Sequence, residues 1–140
     1  MKAIILAAGS GTRISKDFPE LPKALIQVNN NSIISRQIST FKKNGIDEII
    51  VITSTFKEKF STSDVTYVDD QKFDEHDILV SLMEARDQIF GDVIITYSDI
   101  IFDYSIFNLL KRKKLNLMPV KKNWLKIWRK RMHYNKIKND

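Results

Sequence analysis

Three short stretches of the chain are apolar at nearly every position, and they constrain the fold more than any other feature. Residues 3–8 read AIILAA, residues 48–54 read EIIVITS and residues 93–97 read VIITY. Strands that are apolar throughout are buried on both faces, as they are in parallel sheets covered by helices. The three runs therefore predict the buried strands of a mostly parallel sheet.

Segments with helical spacing separate these predicted strands. Residues 32–44 carry isoleucine and phenylalanine at helical spacing, with Ser32 as the expected N-cap and Asn44-Gly45 as a C-cap signal. Residues 78–90 form a second predicted helix that would end at a glycine, and a weak short strand precedes it at residues 65–68.

Alternating strands and helices predict an α/β sandwich with a mostly parallel sheet. Ligands of such sheets bind outside the carboxyl ends of the strands. The loops over residues 9–23 and 98–103 follow two of the predicted strands. We therefore expect the functional site in these two loops.

The charge of the chain is divided between an acidic body and a basic tail. Residues 1–110 carry a balance of −5 and residues 111–140 a balance of +11, which together make the net charge of +6. Such a tail indicates nucleic acid or a membrane surface as a partner, whereas a solvated helix face is the plainer interpretation. The chain has no cysteine and no apolar run approaching the ~18 residues of a membrane span, so a cytoplasmic location is expected.

The loop after the first strand has the composition of an anion-binding cradle. Residues 6–25 read LAAGSGTRISKDFPELPKAL. Glycines let backbone N–H groups approach a phosphate, hydroxyls add donors, and basic side chains supply positive charge. A tight strand-to-helix turn is the alternative, and the spacing fits neither a P-loop nor a dinucleotide-binding fingerprint. The candidate residues are Gly9, Ser10, Gly11, Thr12, Arg13 and Lys23.

A carboxylate stands at the end of the third apolar run. Residues 93–104 read VIITYSDIIFDY, which places Asp99 just beyond the predicted strand. A carboxylate at the carboxyl end of a strand can hold a hard cation, such as the Mg²⁺ of a nucleoside triphosphate complex. Asp99 is therefore the candidate metal ligand, with a loop-capping role as the alternative. Asp103 is the weaker candidate.

The string LAAGSGTR followed by PKAL resembles the signature of the nucleotidyltransferase family that activates sugar phosphates and related phosphorylated alcohols. The resemblance implies a Rossmann-like three-layer sandwich and a requirement for Mg²⁺. It implies that Arg13 contacts the leaving pyrophosphate, that Lys23 neutralises the reacting phosphate, and that Asp99 binds the metal. The family has glycine where Ser98 stands, so the turn before Asp99 is expected to differ in shape. The nucleotide-binding residues that it implies are Leu6, Ala8, Gly9, Ser10, Gly11, Thr12, Asp77 and Ser81.

Two further stretches resemble the branch of this family that transfers CMP to phosphocholine or phosphonates. Residues 76–85, HDILVSLMEA, resemble a segment that borders the nucleotide, although asparagine is usual where Asp77 stands. An ordinary helix N-cap is the alternative for Asp77. In the tail, residues 121–132, KKNWLKIWRKRM, resemble a segment that follows the metal-binding strand. CTP is therefore the preferred nucleotide, with UTP or dTTP and a sugar 1-phosphate as the alternative.

The resemblance covers only the amino-terminal part of the family's domain. We predict a nucleotide-binding α/β core over residues 1–110 and a basic strand-helix tail over residues 111–140 that begins the acceptor half. The sheet is expected to be incomplete at its carboxyl end, which predicts weak triphosphate binding, little turnover and self-association through exposed apolar faces.

The predicted reaction transfers a nucleoside monophosphate, by preference CMP, from a triphosphate to a phosphorylated small molecule such as phosphocholine and releases pyrophosphate. A non-catalytic module that binds a nucleotide or a polyanion is the alternative from a different class.

Overall fold

The computed structural model describes residues 1–9, 21–54, 57–111 and 116–137. These residues belong to two compact units, Met1–Asn108 and Leu109–Asp140. Single 3-10 turns lie at Lys23–Leu25, Lys57–Lys59 and Arg86–Gln88. In chain order, the helices and strands are β1 (Lys2–Leu6), β2 (Gln27–Val28), β3 (Asn31–Ser32), α1 (Ile33–Lys43), β4 (Ile49–Thr53), β5 (Thr66–Asp69), α2 (Ile78–Met83), β6 (Val93–Tyr97), α3 (Ser105–Lys111) and α4 (Trp124–Ile137).

The first unit contains a four-stranded sheet in the order β5-β4-β1-β6, and every pair in it is parallel. The chain moves outward from β1 through β4 to β5 and then returns to the other side of β1 with β6. The direction of winding therefore reverses between β1 and β6. Ligands of open α/β sheets bind at such a switch point, outside the carboxyl ends of the strands.

Helices cover both faces of the sheet. Alternate residues of a strand point to opposite faces, and β1 follows this rule. Ile5 belongs to a buried cluster with Phe41 of α1 and Phe107 of α3, whereas Ile4 belongs to a second cluster with Leu82 of α2. The predicted three-layer α/β sandwich with a parallel sheet is confirmed.

Helix α1 begins and ends where the sequence predicted. The Ser32 side chain accepts a hydrogen bond from the backbone N–H of Ser35 at 3.2 Å and so caps the first turn. After Asn44, the chain leaves the helix through Gly45, which has a φ of 71°. Glycine adopts this left-handed conformation without the steric cost of a Cβ.

The second predicted helix is shorter than expected. Residues 78–90 do not form one helix, because α2 ends at Met83 and a 3-10 turn follows at Arg86–Gln88. The backbone N–H of Ala85 donates to the carbonyl of Leu82 at 3.1 Å, which tightens the chain from α-helical to 3-10 spacing. Leu82 and Ala85 are buried, but Leu79 is 64% exposed. The apolar periodicity of residues 78–90 therefore does not by itself identify the residues that are buried.

The short hairpin of β2 and β3 was not predicted. Its connecting residues Asn29 and Asn30 have φ values of 48° and 62°. Consecutive positive φ angles are the conformation of the tight turns that match the twist of paired strands, and asparagine is one of the residues that tolerates them. The Asn29-Asn30 dipeptide is therefore the signal that would have predicted this hairpin.

The second unit contains the basic helix α4, which lies within the tail that the sequence analysis assigned to residues 111–140. Residues 116–123, the described segment before it, contain no strand. Within α4, Trp124 and Trp128 are exposed beside Lys126 and Arg129. No helix in the described part of the chain is long and apolar enough to cross a membrane.

Candidate active site at the ends of two strands

The start of the predicted phosphate-binding loop is anchored to both neighbours of the central strand. The Leu6 carbonyl accepts a hydrogen bond from the backbone N–H of Ser98 at 3.0 Å, and the N–H of Ala7 donates to the carbonyl of Ile52 at 2.8 Å. Ala8 is buried beyond them, whereas Gly9 is exposed. A Cβ added at Gly9 would meet none of the described residues within 4 Å. The backbone at Gly9 is therefore open to the close approach of a ligand.

The central part of this loop lies outside the described residues. It contains Ser10, Gly11, Thr12 and Arg13, together with Lys16. Their predicted contacts with a triphosphate and with pyrophosphate stay predictions from the sequence.

Lys23 lies at the start of a short turn that is anchored by its neighbour Ala24. Ala24 is buried in the same cluster as α1, and the N–H of Leu25 donates to the carbonyl of Pro22 at 2.8 Å. Lys23 is half-buried, and no carboxylate among the described residues forms an ion pair with it. An ammonium without a carboxylate partner remains available to a phosphate.

Asp99 lies in the turn that follows β6, directly beside the end of β1. The turn is held there because Ser98, which is buried, bonds to Leu6 through its backbone. Asp99 itself is exposed and accepts no hydrogen bond from the described residues. The structure thus brings the predicted metal ligand and the start of the predicted phosphate-binding loop to one edge of the sheet.

The carboxylate of Asp99 suits a divalent metal whose other ligands are substrate oxygens and water. No group of three or more metal-ligating histidine, cysteine, aspartate or glutamate side chains exists among the described residues. Mg²⁺ is usually bound by one or two carboxylates together with substrate phosphates and water. A single exposed carboxylate oxygen donor beside a phosphate-binding loop fits this mode of binding.

Asp103, the weaker candidate, is engaged at the start of α3. Its Oδ1 accepts a hydrogen bond from the backbone N–H of Ser105 at 2.8 Å. Hydrogen bonds from the backbone and side chain of Ser105 lower the pKa of Asp103 below its ordinary value, because they stabilise the charged carboxylate. Asp103 therefore stabilises the start of the helix, whereas Asp99 has no such engagement among the described residues.

The structure places Asp77 at the N-cap of α2, the alternative that its position in the sequence allowed. Its Oδ1 accepts from the backbone N–H groups of Leu79 and Val80 at 2.9 and 3.3 Å. Ser81 is buried one position before Leu82, which shares a cluster with Leu6 and Ala8. The predicted contact of Asp77 or Ser81 with a nucleotide stays a prediction.

Gln37 is a residue at this site that the sequence analysis did not single out. From α1, its Nε2 donates to the carbonyl of Tyr97 at 2.9 Å and to that of Ile100 at 2.6 Å. The signal was present in the sequence, because Gln37 is a polar residue within the helical spacing of Ile34, Ile38 and Phe41. A polar residue on a buried helix face must find hydrogen-bonding partners elsewhere in the fold.

Two further residues that the sequence analysis did not single out, Asp70 and His76, lie close together at the end of β5. Asp70 is fully buried, and its Oδ1 lies 3.2 Å from His76 Nε2 and accepts from the N–H of Lys72 at 3.1 Å. These contacts connect the end of the strand with the residue before Asp77. They therefore help to position the loop that leads into α2.

Fold and site together define a doubly wound α/β domain whose strand-end site suits a phosphorylated, metal-bound ligand. The comparison with known families is more specific. The chain belongs to the family of the MobA-like NTP transferase domain, which it matches over residues 3–113. It is therefore a member of a nucleotidyltransferase family.

Two curated relatives are cytidylyltransferases. The chain is 35% identical over 116 residues to choline-phosphate cytidylyltransferase of Streptococcus pneumoniae, covering 80% of this chain and 51% of the relative. It is 31% identical over 143 residues to CTP:phosphoglutamine cytidylyltransferase of Campylobacter jejuni, covering 94% of this chain and 56% of the relative. The chain thus spans about half the length of these relatives.

The solved structures agree with this assignment. The CTP:phosphocholine cytidylyltransferase of Streptococcus pneumoniae superposes with a TM-score of 0.66 at 35% identity, covering 70% of this chain and 44% of that one. An inositol-1-phosphate CTP transferase from T. maritima has the same TM-score, 0.66, at 18% identity, which supports the fold alone.

Proposed function

We propose that this chain is the nucleotide-binding part of a cytidylyltransferase, which transfers CMP from CTP to a phosphorylated small molecule and releases pyrophosphate. The observation that carries the proposal is the hydrogen bond between Ser98 and Leu6, which holds the Asp99 turn beside the start of the glycine-rich loop. The cytidylyltransferases among its relatives support the choice of CTP.

The proposed reaction needs no covalent enzyme intermediate. A phosphate oxygen of the acceptor forms a bond to the α-phosphorus of CTP, while the bond from that phosphorus to the bridging oxygen of the β-phosphate breaks. The electron pair of the broken bond leaves with pyrophosphate. Catalysis of such a transfer depends mainly on positioning the reactants and on stabilising negative charge.

The residues of the glycine-rich loop would hold the triphosphate. Gly9 presents open backbone, and Ser10 to Thr12 continue the loop towards Arg13, which would stabilise the leaving pyrophosphate. Lys23 would neutralise the reacting phosphates, which is supported by its freedom from carboxylate partners among the described residues. Each of these contacts is a charge-assisted or backbone hydrogen bond to a phosphate oxygen.

Asp99 would hold Mg²⁺ together with oxygens of the triphosphate. When bound, the ion would offset the negative charge of the phosphates and orient them. Asp99 is exposed and contributes a hard oxygen donor, which is the ligand type that Mg²⁺ prefers.

The identity of the base and the acceptor would be decided partly at the start of α2. Asp77 and Ser81 are the proposed contacts to the base or to the acceptor. Phosphocholine or a phosphonate is the preferred acceptor, which the choline-phosphate and 2-aminoethylphosphonate cytidylyltransferases among the relatives support. Sugar-1-phosphate transfer with UTP or dTTP is the competing assignment, because a bifunctional sugar-1-phosphate nucleotidylyltransferase is 31% identical over 126 residues.

Self-association is a further part of the proposal. Ile95 and Tyr97 of β6 are 46% and 50% exposed. Exposed apolar side chains on a strand favour association with another chain.

Calorimetric titration of the chain with CTP, UTP, dTTP and ATP, each with and without Mg²⁺, tests this proposal. We expect CTP to bind most tightly and Mg²⁺ to strengthen its binding. Asp99→Asn keeps the shape of the side chain and removes its charge, so it should abolish the effect of Mg²⁺ and leave metal-free binding unchanged. Equal affinity for all four nucleotides would contradict the cytidylyltransferase assignment, and an equal effect of Mg²⁺ on both proteins would remove Asp99 from the site.

A further inference from the structure

We propose that Gln37 is a positioning residue that fixes the turn carrying Asp99. The inference rests on the proposed role of Asp99 as a metal ligand and adds the residue that holds this ligand in place. Gln37 lies on α1, 60 residues before Tyr97 and 63 before Ile100, the two residues whose carbonyls it binds. It touches neither substrate nor metal in this role and acts through the backbone of the turn.

The two hydrogen bonds bracket the ligand. Tyr97 is the last residue of β6, Ser98 and Asp99 form the turn, and Ile100 follows it. A single side-chain amide therefore binds the backbone on both sides of the two-residue turn, at 2.9 and 2.6 Å. The backbone bond from Ser98 to Leu6 provides a third attachment at its centre.

The chemistry of the partners determines which way the Gln37 amide faces. Both partners are carbonyl oxygens, which only accept hydrogen bonds, so only the NH₂ group can bind them. The Oε1 atom is buried and has no hydrogen-bond partner among the described residues. A buried unsatisfied acceptor is unfavourable. The two hydrogen bonds that the NH₂ group donates to the turn offset the cost of leaving Oε1 without a partner.

Helix α1 is a rigid point of attachment for this turn. Gln37 is 2% exposed and lies among Ile34, Ile38 and Phe41, which are buried in the core beneath the sheet. Asp99, by contrast, is exposed. The Gln37 amide thus couples an exposed metal ligand to the packed core. Groups that orient a metal ligand without touching the metal strongly influence metal affinity.

The test replaces Gln37 by methionine, which has a similar length and no N–H donor. The measured quantity is the ratio of CTP affinities with and without Mg²⁺, from calorimetry. We expect Gln37→Met to reduce this ratio by about tenfold or more, the range seen when a supporting partner of a metal ligand is lost. Binding of metal-free CTP should change little, because the glycine-rich loop is intact.

The matched control is Thr40→Ala on the same helix. The Thr40 hydroxyl donates to the carbonyl of Arg36 at 2.7 Å, so this variant also loses a side-chain hydrogen bond but none to the aspartate turn. It should retain the Mg²⁺ effect of the unmodified chain. If Thr40→Ala and Gln37→Met lose the effect equally, Gln37 has a general structural role and the proposal is wrong.

Hydrogen exchange measured by mass spectrometry supplies a readout that does not depend on the metal. Gln37→Met should speed exchange in a peptide covering residues 97–103 and leave the amides of β1 and β4 protected. If Gln37→Met does not fold, Gln37→Leu replaces it, because leucine also lacks a donor and can be buried without an unpaired polar group. Unchanged exchange and an unchanged Mg²⁺ effect in a folded variant would overturn the proposal.

The outcomes separate this proposal from the function on which it rests. If Mg²⁺ strengthens CTP binding to the unmodified chain and Gln37→Met retains that effect, the role of Gln37 fails while the proposed function stands. If Mg²⁺ has no effect on the unmodified chain, the metal role of Asp99 fails, and the positioning role of Gln37 fails with it.

Discussion

The two faces of the sheet are covered very differently. Helix α1 has eleven residues, five of them buried, and Phe41 packs with Phe102 and Phe107 at ring-centroid distances of 5.5 Å each. Helix α2 has six residues and buries only Ser81 and Leu82. The α1 face therefore contributes more of the packing energy, since burial of apolar surface is the main stabilising term.

The two faces also differ in the candidate site residues that they hold. The α1 face holds the turn of Lys23 through the buried Ala24 and the turn of Asp99 through Gln37. The α2 face begins with Asp77 and Ser81, the proposed contacts to base or acceptor. We infer that Lys23 and Asp99, two of the proposed charged groups, are held from the well-packed face, whereas Asp77 and Ser81 lie on the lightly packed one.

Truncation of the α1 core should have the largest effect on stability. Phe41→Ala removes a fully buried ring from the three-ring cluster, and we expect it to lower the free energy of unfolding by about 3–5 kcal/mol. Leu79→Ala on α2 removes an exposed side chain and should change stability by less than about 0.5 kcal/mol. Urea denaturation followed by circular dichroism measures both variants. Comparable losses would contradict the conclusion that α2 is the more lightly packed helix.

Removal of the lysine charge should affect ligand binding more than stability. Lys23→Ala should weaken binding of CTP by roughly 1.5–3 kcal/mol, the contribution of a hydrogen bond to a charged group. Lys43→Ala, at the exposed end of α1, is the control and should bind CTP as the unmodified chain does. Calorimetry compares the two variants, and equal affinities would exclude Lys23 from the site.

A parallel comparison concerns the part of the loop that lies outside the described residues. Arg13→Ala should weaken triphosphate binding more than Lys16→Ala, because the family resemblance places the Arg13 guanidinium against pyrophosphate. The expected loss is again roughly 1.5–3 kcal/mol. If calorimetry finds the same affinity for both variants, Arg13 does not contact the phosphates.

Substitution of the α2 cap should affect stability less than truncation of the α1 core. Asp77→Ala removes the acceptor for the N–H groups of Leu79 and Val80 and should destabilise the chain by about 1 kcal/mol. Asp77→Ser keeps a capping oxygen and removes the charge. If Asp77 also contacts the nucleotide, Asp77→Ser will retain stability and alter the preference between CTP and UTP. An unchanged preference would limit Asp77 to its capping role.

The sequence alone predicted the elements whose patterns are local. Strands β1, β4 and β6 are continuous apolar runs, and α1 is delimited by Ser32 and Gly45. The family was also evident, because LAAGSGTR and PKAL are contiguous strings. Such features need no knowledge of distant residues, since burial periodicity and capping act over a few positions.

Features that depend on contacts between distant residues were decided only by the tertiary structure. The helical periodicity of residues 78–90 continues past Met83, but α2 ends there and a 3-10 turn follows at Arg86–Gln88, after which Ile89 still packs against the core. The order β5-β4-β1-β6 likewise follows from packing, because backbone hydrogen bonds between parallel strands carry no information about which strands pair.

The site shows the same division. Asp99, at the end of an apolar run, was recognisable in the sequence as a candidate ligand. The attachment of its turn to Gln37 was not, because 60 and 63 positions of chain separate Gln37 from Tyr97 and Ile100. A buried amide can bind any carbonyl that the fold brings within reach, and the residue type does not specify which one. The sequence therefore indicated the candidate groups for the chemistry, and the tertiary structure decided which residues hold the turn of Asp99 in place.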